Sequence, residues 1–219
     1  MMLSRTTLTR RRRDDGFTLI ELMIALGIFS IFLVVVLSSV ISITRASTRV
    51  QVTAVSSSAE LAVFQRLDHQ IRYSDSINFP GIGSPSGNMY IEFRTPAEST
   101  TSGVTLCTQW RFVPATRVLQ SRNWNDVVGA VPGAWETDLT NVANDGGPYY
   151  PFRLWPATNA GSQMQQLTLS LDTGNSSVKG AAITTTFVAR NSSIQSPSNT
   201  DDLVDGKSDS AICPAGSRP

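Results

Sequence analysis

Hydrophobic and polar positions fall into three regimes along the chain. From Phe17 to Ile43 almost every side chain is apolar, and Glu21 is the only charge. Leu22 to Ile43 is 22 residues without a charge, with Ser30, Ser38, Ser39 and Ser42 as its only polar side chains. As a helix this stretch spans roughly 33 Å, enough to cross the hydrocarbon core of a bilayer. Beyond it the apolar positions thin to Val50, Ala54, Leu61, Phe64, Leu67 and Ile71, at three- to four-residue steps. That spacing predicts an amphipathic stripe, with Arg49, Glu60, Arg66 and Asp68 on the polar face. No proline occurs between Phe17 and Phe79, and Gly27 is the only glycine there. One continuous helix is therefore predicted from about Phe17 to about Ser74, near 85 Å long. Asp75, Pro80 and Gly81 stop it.

After the helix the period changes to two. Met89, Ile91 and Phe93 alternate with Tyr90, Glu92 and Arg94; Val104, Leu106, Thr108, Trp110 and Phe112 share a face. RVLQSRNW reads as the hairpin partner of that second run across Pro114–Thr116. Leu167, Leu169 and Leu171 form one further strand, and Ile183, Thr185, Phe187 and Ala189 another, joined through TGNSSVKG. Strands separated by turn chemistry with no helical pattern between them predict an antiparallel sheet, and one long helix with such a sheet is an α+β fold. Residues 125–161 are rich in Gly, Pro, Asn and Asp and read as an irregular loop carrying Trp135, Tyr149, Tyr150, Phe152 and Trp155. These aromatics either complete a small core at the sheet edge or offer a partner surface. The tail from Asn191, rich in Ser, Asn and Asp, reads as irregular.

Charge sharpens the first regime. Five arginines (Arg5, Arg10, Arg11, Arg12, Arg13) and two aspartates (Asp14, Asp15) precede Gly16, a net +3; the side chains after it sum to −2. Arginines before an apolar span hold that end in the cytoplasm, which places the body from about Thr44 onward outside. The apolar run is too long for a cleaved secretory signal, and ISITRASTRV after it offers no small-x-small site. A plain signal anchor would account for the arginines and the span. It leaves Gly16 beside Phe17, and Glu21, without a reason.

GFTLIELMIALGIFSI, read with the basic leader and the charge-free span, resembles the N-terminal signature of type IV pilins and of type II secretion pseudopilins. The resemblance covers Gly16 to Ile43. It implies cleavage by prepilin peptidase between Gly16 and Phe17, methylation of the new amine on Phe17, and an assembly role for Glu21. It also implies a pilin-like fold, in which 1–16 is the leader, 17–43 the membrane and assembly half of the helix, 44–75 its amphipathic half and 76–219 the extracytoplasmic sheet domain. The partners implied are the peptidase, other subunits, an inner-membrane assembly platform and the lipid bilayer. The body's size, its late cysteine and RLDHQIRYSDSI resemble accessory subunits of the J or W type. The sequence departs from the pattern at Asp14 and Asp15, where the family often has basic or neutral residues. It departs again at Ser38–Ser39, where many major pilins carry a proline.

This reading gives Glu21 a physical purpose. Cleavage exposes an amine that is largely cationic at neutral pH, and methylation keeps its charge. Glu21 lies one turn away, where the helix dipole also favours a carboxylate. In lipid an unpaired charge is costly, so pairing of the Glu21 carboxylate with the amine of a neighbouring subunit rewards one axial register. Gly16 lacks a Cβ and lets a peptidase approach the scissile backbone.

Other chemistry is sparse. Cys107 and Cys213 either pair, closing a loop of about 107 residues worth up to roughly 4–5 kcal/mol, or remain thiols. A bond would tack the tail onto the sheet face away from the helix. The single histidine, His69, sits in the amphipathic helix; no nucleophile elbow, phosphate loop or Cys/His metal spacing occurs. In DDLVDGKSD (Asp201–Asp209) the calcium-loop pattern fails at Leu203 and Ile212. The expectation is a non-enzymatic filament subunit without cofactor or metal, held first in the cytoplasmic membrane and then in a filament. The alternatives are a tip adhesin or DNA-uptake subunit and a plain anchored surface protein. Mature side chains that sum to −2 do not favour nucleic acid.

Overall fold

The computed structural model describes residues 16–143, 150–174, 179–203 and 207–219. It contains one helix, α1 (Leu19–Arg72), and nine strands: β1 (Ser76–Ile77), β2 (Gly81–Ile82), β3 (Met89–Thr95), β4 (Leu106–Val113), β5 (Val118–Asn125), β6 (Glu136–Leu139), β7 (Phe152–Trp155), β8 (Gln166–Gly174) and β9 (Lys179–Val188). The chain divides into two compact units, residues 1–48 and 49–219.

The first described unit is helix alone. Phe17, Leu19, Ile20 and the apolar side chains through Ile43 are all exposed, at 85% for Phe17. No protein core covers this half of α1, which is what a segment solvated by lipid or by other copies requires.

The second unit holds the α+β body. All strand pairings are antiparallel, but the strands divide into two sheets where the sequence predicts one. The larger has the order β1-β3-β4-β5-β6, with β2 also on β3; the smaller is β7-β8-β9. Two of the missed strands, β6 and β7, lie inside the stretch read as irregular. Each is only 4 residues long, too short for alternation to stand out among prolines and glycines. The link between β8 and β9, read as a loop in TGNSSVKG, lies for residues 175–178 outside the described residues.

One core cluster joins α1 to both sheets. Val63, Leu67 and Ile71 pack with Ile91, Phe93, Trp110 and Phe112 of the larger sheet and with Leu167, Leu169, Leu171 and Phe187 of the smaller. The buried stripe is Glu60, Val63, Leu67 and Ile71. This corrects the predicted one: Val50, Ala54 and Leu61 are exposed, and Glu60, placed on the polar face, is 2% exposed. The reason is geometric. Period alone does not fix where the sheets begin to cover α1, and they do so from Ala59 onward. Polar bonds fix the docking at several points. Thr173 Oγ1 donates to Glu60 Oε1 (2.7 Å), Trp110 Nε1 donates to Gln70 Oε1 (2.9 Å), and Arg66 pairs with Asp138.

The predicted alternation of β3 also needs correction. Tyr90 and Glu92 are as buried as Ile91 and Phe93, because the C-terminal tail lies over the second face of the larger sheet. Arg218 pairs with Glu92, Gln109 Nε2 donates to Glu92 Oε1 (2.7 Å), and Asn78 Nδ2 donates to the Ile212 carbonyl (3.0 Å). The tail from Asn191 is irregular yet fixed. Gln165 serves Ile77 at both its backbone N–H (2.8 Å) and its carbonyl (3.1 Å), and the Ser192 hydroxyl receives the Gln165 N–H (2.8 Å). Side chains thus supply the pairings that backbone ladders do elsewhere.

Two outcomes follow for α1. Leu67→Ala should lower the unfolding free energy by about 2–5 kcal/mol, while Leu61→Ala should stay within about 0.5 kcal/mol of the parent in the same denaturant titration. Burial pushes the Glu60 carboxyl above the usual carboxylate range; the Thr173 bond opposes this and Asp172 adds to it. The fold therefore favours the protonated acid. Its contribution is fully present below the ordinary carboxylate range and is lost as pH rises through the raised value. Glu60→Gln should be more stable than the parent at neutral pH, with the difference vanishing in acid; equal stability at both pH values would refute this.

Candidate functional site

The N-terminal segment is the candidate site, and α1 begins within it. Glu21 N–H donates to Thr18 Oγ1 (3.3 Å) and Leu22 N–H to the Thr18 carbonyl (3.2 Å). Thr18 is therefore the N-cap and Glu21 the third helical residue, the spacing of a capping box with only its Thr18 half formed. The sequence signal, Thr18-x-x-Glu21 ahead of an apolar run, was available and went unused. Glu21 stands in the first turn, where the helix dipole favours a carboxylate. Open space surrounds Gly16, with nothing within 4 Å of where a Cβ would sit. Gly16, Phe17 and Glu21 thus lie together at one exposed helix start. The arginine cluster and Asp14–Asp15 lie outside the described residues.

Three of the four serines in the apolar span turn their hydroxyls back onto the helix. Ser30 Oγ donates to the Leu26 carbonyl (2.8 Å), Ser38 Oγ to Val34 (2.7 Å) and Ser39 Oγ to Val35 (2.9 Å), each four residues back. Hydroxyls satisfied within the helix enter a hydrocarbon environment at little cost.

Cys107 and Cys213 form a disulfide, with Cα atoms 5.7 Å apart. With Trp124 and Ile212 they make a second, smaller core on the face of the larger sheet away from α1. A Cβ at Gly216 would lie 2.7 Å from the Trp124 ring, so the tail approaches that ring as closely as glycine allows.

The aromatics of 125–161 divide. Tyr150 and Phe152 are buried in the main core. The guanidiniums of Arg111 (4.0 Å) and Arg122 (4.3 Å) both lie over the Trp135 ring. Trp155 alone of the described ones is well exposed, at 44%, with Arg153 stacked on it at 4.0 Å. Tyr149 lies outside the described residues. Several arginines are likewise committed to partners: Arg66 to Asp138, Arg72 to Asp68, Arg94 to Asp75 and Arg218 to Glu92. Among the described residues no group of three or more His, Cys, Asp or Glu could hold a metal ion. Within Asp201–Asp209 the Asp202 N–H bonds Asp209 Oδ2 (2.9 Å), while residues 204–206 lie outside the described residues. His69 is exposed and meets Tyr73 edge-on at 5.1 Å.

The apolar first half of α1 is long and apolar enough to cross a membrane, with one acid in its first turn. Residues 11–37 match the family model described as the prokaryotic N-terminal methylation motif. That match, confined to the N-terminal segment, supports a type IV pilin or pseudopilin that is processed by prepilin peptidase. No curated protein and no solved structure matches the chain.

The tail supplies a prediction independent of the stem. Reducing the disulfide, or replacing Cys107 and Cys213 together by serine, should lower the stability of the body by about 2–5 kcal/mol. Denaturant titration with and without reductant checks this; coincident curves would show that the tail adds nothing.

Proposed function

We propose that this chain is a minor pilin or pseudopilin, an accessory structural subunit of a type IV pilus or a type II secretion-like filament, in the manner of the J or W subunits. Prepilin peptidase cuts between Gly16 and Phe17 from the cytoplasmic side. Phe17 is N-methylated, and the body stands outside the cytoplasmic membrane until an assembly platform extracts the subunit. The observation that carries this reading is the uncovered helix Leu19–Ile43 with one carboxylate, Glu21, in its first turn. A helix with no protein cover needs lipid or copies of itself around it, and a single charge in that setting seeks a single opposite charge.

Glu21 is then a recruitment and register device. The amine on Phe17 of one subunit pairs with Glu21 of another, and any axial slip leaves both charges unpaired in an apolar environment. Thr18 starts the helix beside that amine and holds the Glu21 backbone without using its carboxylate.

Intact-mass analysis of the membrane-purified protein should find a chain beginning at Phe17 and carrying one added methyl. Glu21→Val should be processed as well as the parent yet enter filaments at least about ten-fold less, as quantified in sheared filament fractions; ten-fold corresponds to roughly 1.4 kcal/mol per pairing. A mature chain beginning at Met1, or full incorporation of Glu21→Val, would refute the processing step or the register device respectively.

A further inference from the structure

A second feature lies wholly within the body. Between the end of α1 and the loop that joins β3 to β4 is a hollow of about 210 Å³. One wall carries His69 and Tyr73, and the other is made by Thr95, Thr101, Ser102 and Thr108. No Asp, Glu, Lys or Arg lines it. Thr108 is 2% exposed and Thr95 is 8% exposed, and neither hydroxyl bonds another described residue. Both residues line the hollow, so their hydroxyls are available to whatever fills it. A core position on β4 would more ordinarily hold valine, which has the same shape without the unmet hydroxyl.

The walls are held in place. Thr100 Oγ1 bonds the carbonyls of Ala97 (3.0 Å) and Val104 (2.8 Å), which fixes the loop. Asn191 Nδ2 bonds both the Tyr73 carbonyl (3.0 Å) and Ser99 Oγ (3.1 Å), and so ties helix end to loop. Gln70 is oriented by the Trp110 indole (2.9 Å). Tyr73 remains 42% exposed, with His69 against its edge.

We infer that this hollow binds a neutral sugar residue of a glycan, with the Thr95 and Thr108 hydroxyls bonding sugar hydroxyls and Tyr73 contacting the C–H face of the ring. With no Asp, Glu, Lys or Arg in the lining a charged ligand finds no fixed counter-charge, and an apolar ligand would leave the two threonine hydroxyls without partners. Hydroxyls that both donate and accept match a ligand whose groups do the same. The volume is below the roughly 300–1,000 Å³ of a pocket for a drug-sized ligand, so one ring enters and the remaining glycan stays outside. The inference stands apart from the filament reading, since it uses none of the residues of the stem.

The test is saturation-transfer NMR on the full-length protein in a detergent without a sugar headgroup, titrated with glucose, galactose, mannose and N-acetylglucosamine. Concentrations of about 10 mM suit the millimolar affinity expected of a single ring. At least one sugar should receive magnetisation. Its affinity should fall about five-fold or more in Tyr73→Ala and in Thr108→Val, a loss on the scale of one contact. Trp155→Ala, at an exposed aromatic of the body that does not line the hollow, should leave it unchanged. Tyr73 is exposed enough for its variant to fold, so that variant decides the matter if Thr108→Val does not fold. Absence of transfer to all four sugars, undiminished binding in Tyr73→Ala, or loss of binding in Trp155→Ala would overturn the inference.

Discussion

The structure rests on one side of one helix. Val63, Leu67 and Ile71 are the only aliphatic side chains that α1 sinks fully into the body, and both sheets close on them. Each contributes on the order of 2 kcal/mol by leaving water. Glu60, in the same row one turn earlier, works against this, since its carboxylate enters the core with a threonine hydroxyl for company. A row that ends in a costly group has a defined end. Toward the N-terminus Ala59 and Val52 are half-buried, while Val55, Ala54 and Val50 are exposed. The covered length of α1 is therefore set by where burial stops being favourable, and the rest of the helix is left for other surroundings.

The far face of the larger sheet shows the opposite problem. Tyr90, Glu92 and Gln109 face away from α1, and a sheet with one face on a core commonly leaves the other to water. Here the tail covers them and brings what burial demands: Arg218 as the cation for Glu92, a sulfur bond at Cys107, and a glycine at Gly216 where Trp124 needs room. Removing one partner of a buried pair costs more than the pair contributes, so Glu92 and Arg218 depend on each other for tolerance rather than for strength. Covalent closure over a sequence separation of 106 residues offsets the entropy of holding so irregular a segment in place.

Legibility in the sequence followed the strength of the local pattern. The helix was read to within about two residues at each end, because an unbroken run without proline admits little else. Strands β3, β4, β5, β8 and β9 were plain from alternation, and Leu167, Leu169 and Leu171 do share the core. What escaped were features whose cause is distant in the chain. Tyr90 and Glu92 look like solvent-facing positions until a segment 120 residues later is laid over them. Glu60 reads as polar surface until Thr173 meets it. Strands β6 and β7 carry almost no pattern of their own and form because β5 and β8 offer them edges. At the N-terminal site the residues proposed for cleavage and assembly stand in a motif that is legible along the chain, and the spacing of Thr18 to Glu21 is a local signal as well. The sugar-sized hollow was invisible for the ordinary reason: Tyr73, Thr95 and Thr108 share no sequence pattern, and only the crossing of helix end and hairpin brings them together.

The stem's polar atoms also bear on how selective its assembly is. An apolar helix among apolar helices gains nearly the same contact at many axial offsets, so dispersion alone is a poor ruler. Serine hydroxyls could have supplied extra bonds between helices and blurred the choice. Those of Ser30, Ser38 and Ser39 are instead turned back onto their own helix. Thr18 likewise spends its hydroxyl on the Glu21 N–H. Among the polar groups described along this part of α1, that leaves the Glu21 carboxylate as the charged one. On the proposed reading charge pairing is confined to a single height on the stem, and a single height is what a register device needs. A second carboxylate one or two turns further along would give two acceptable offsets instead of one.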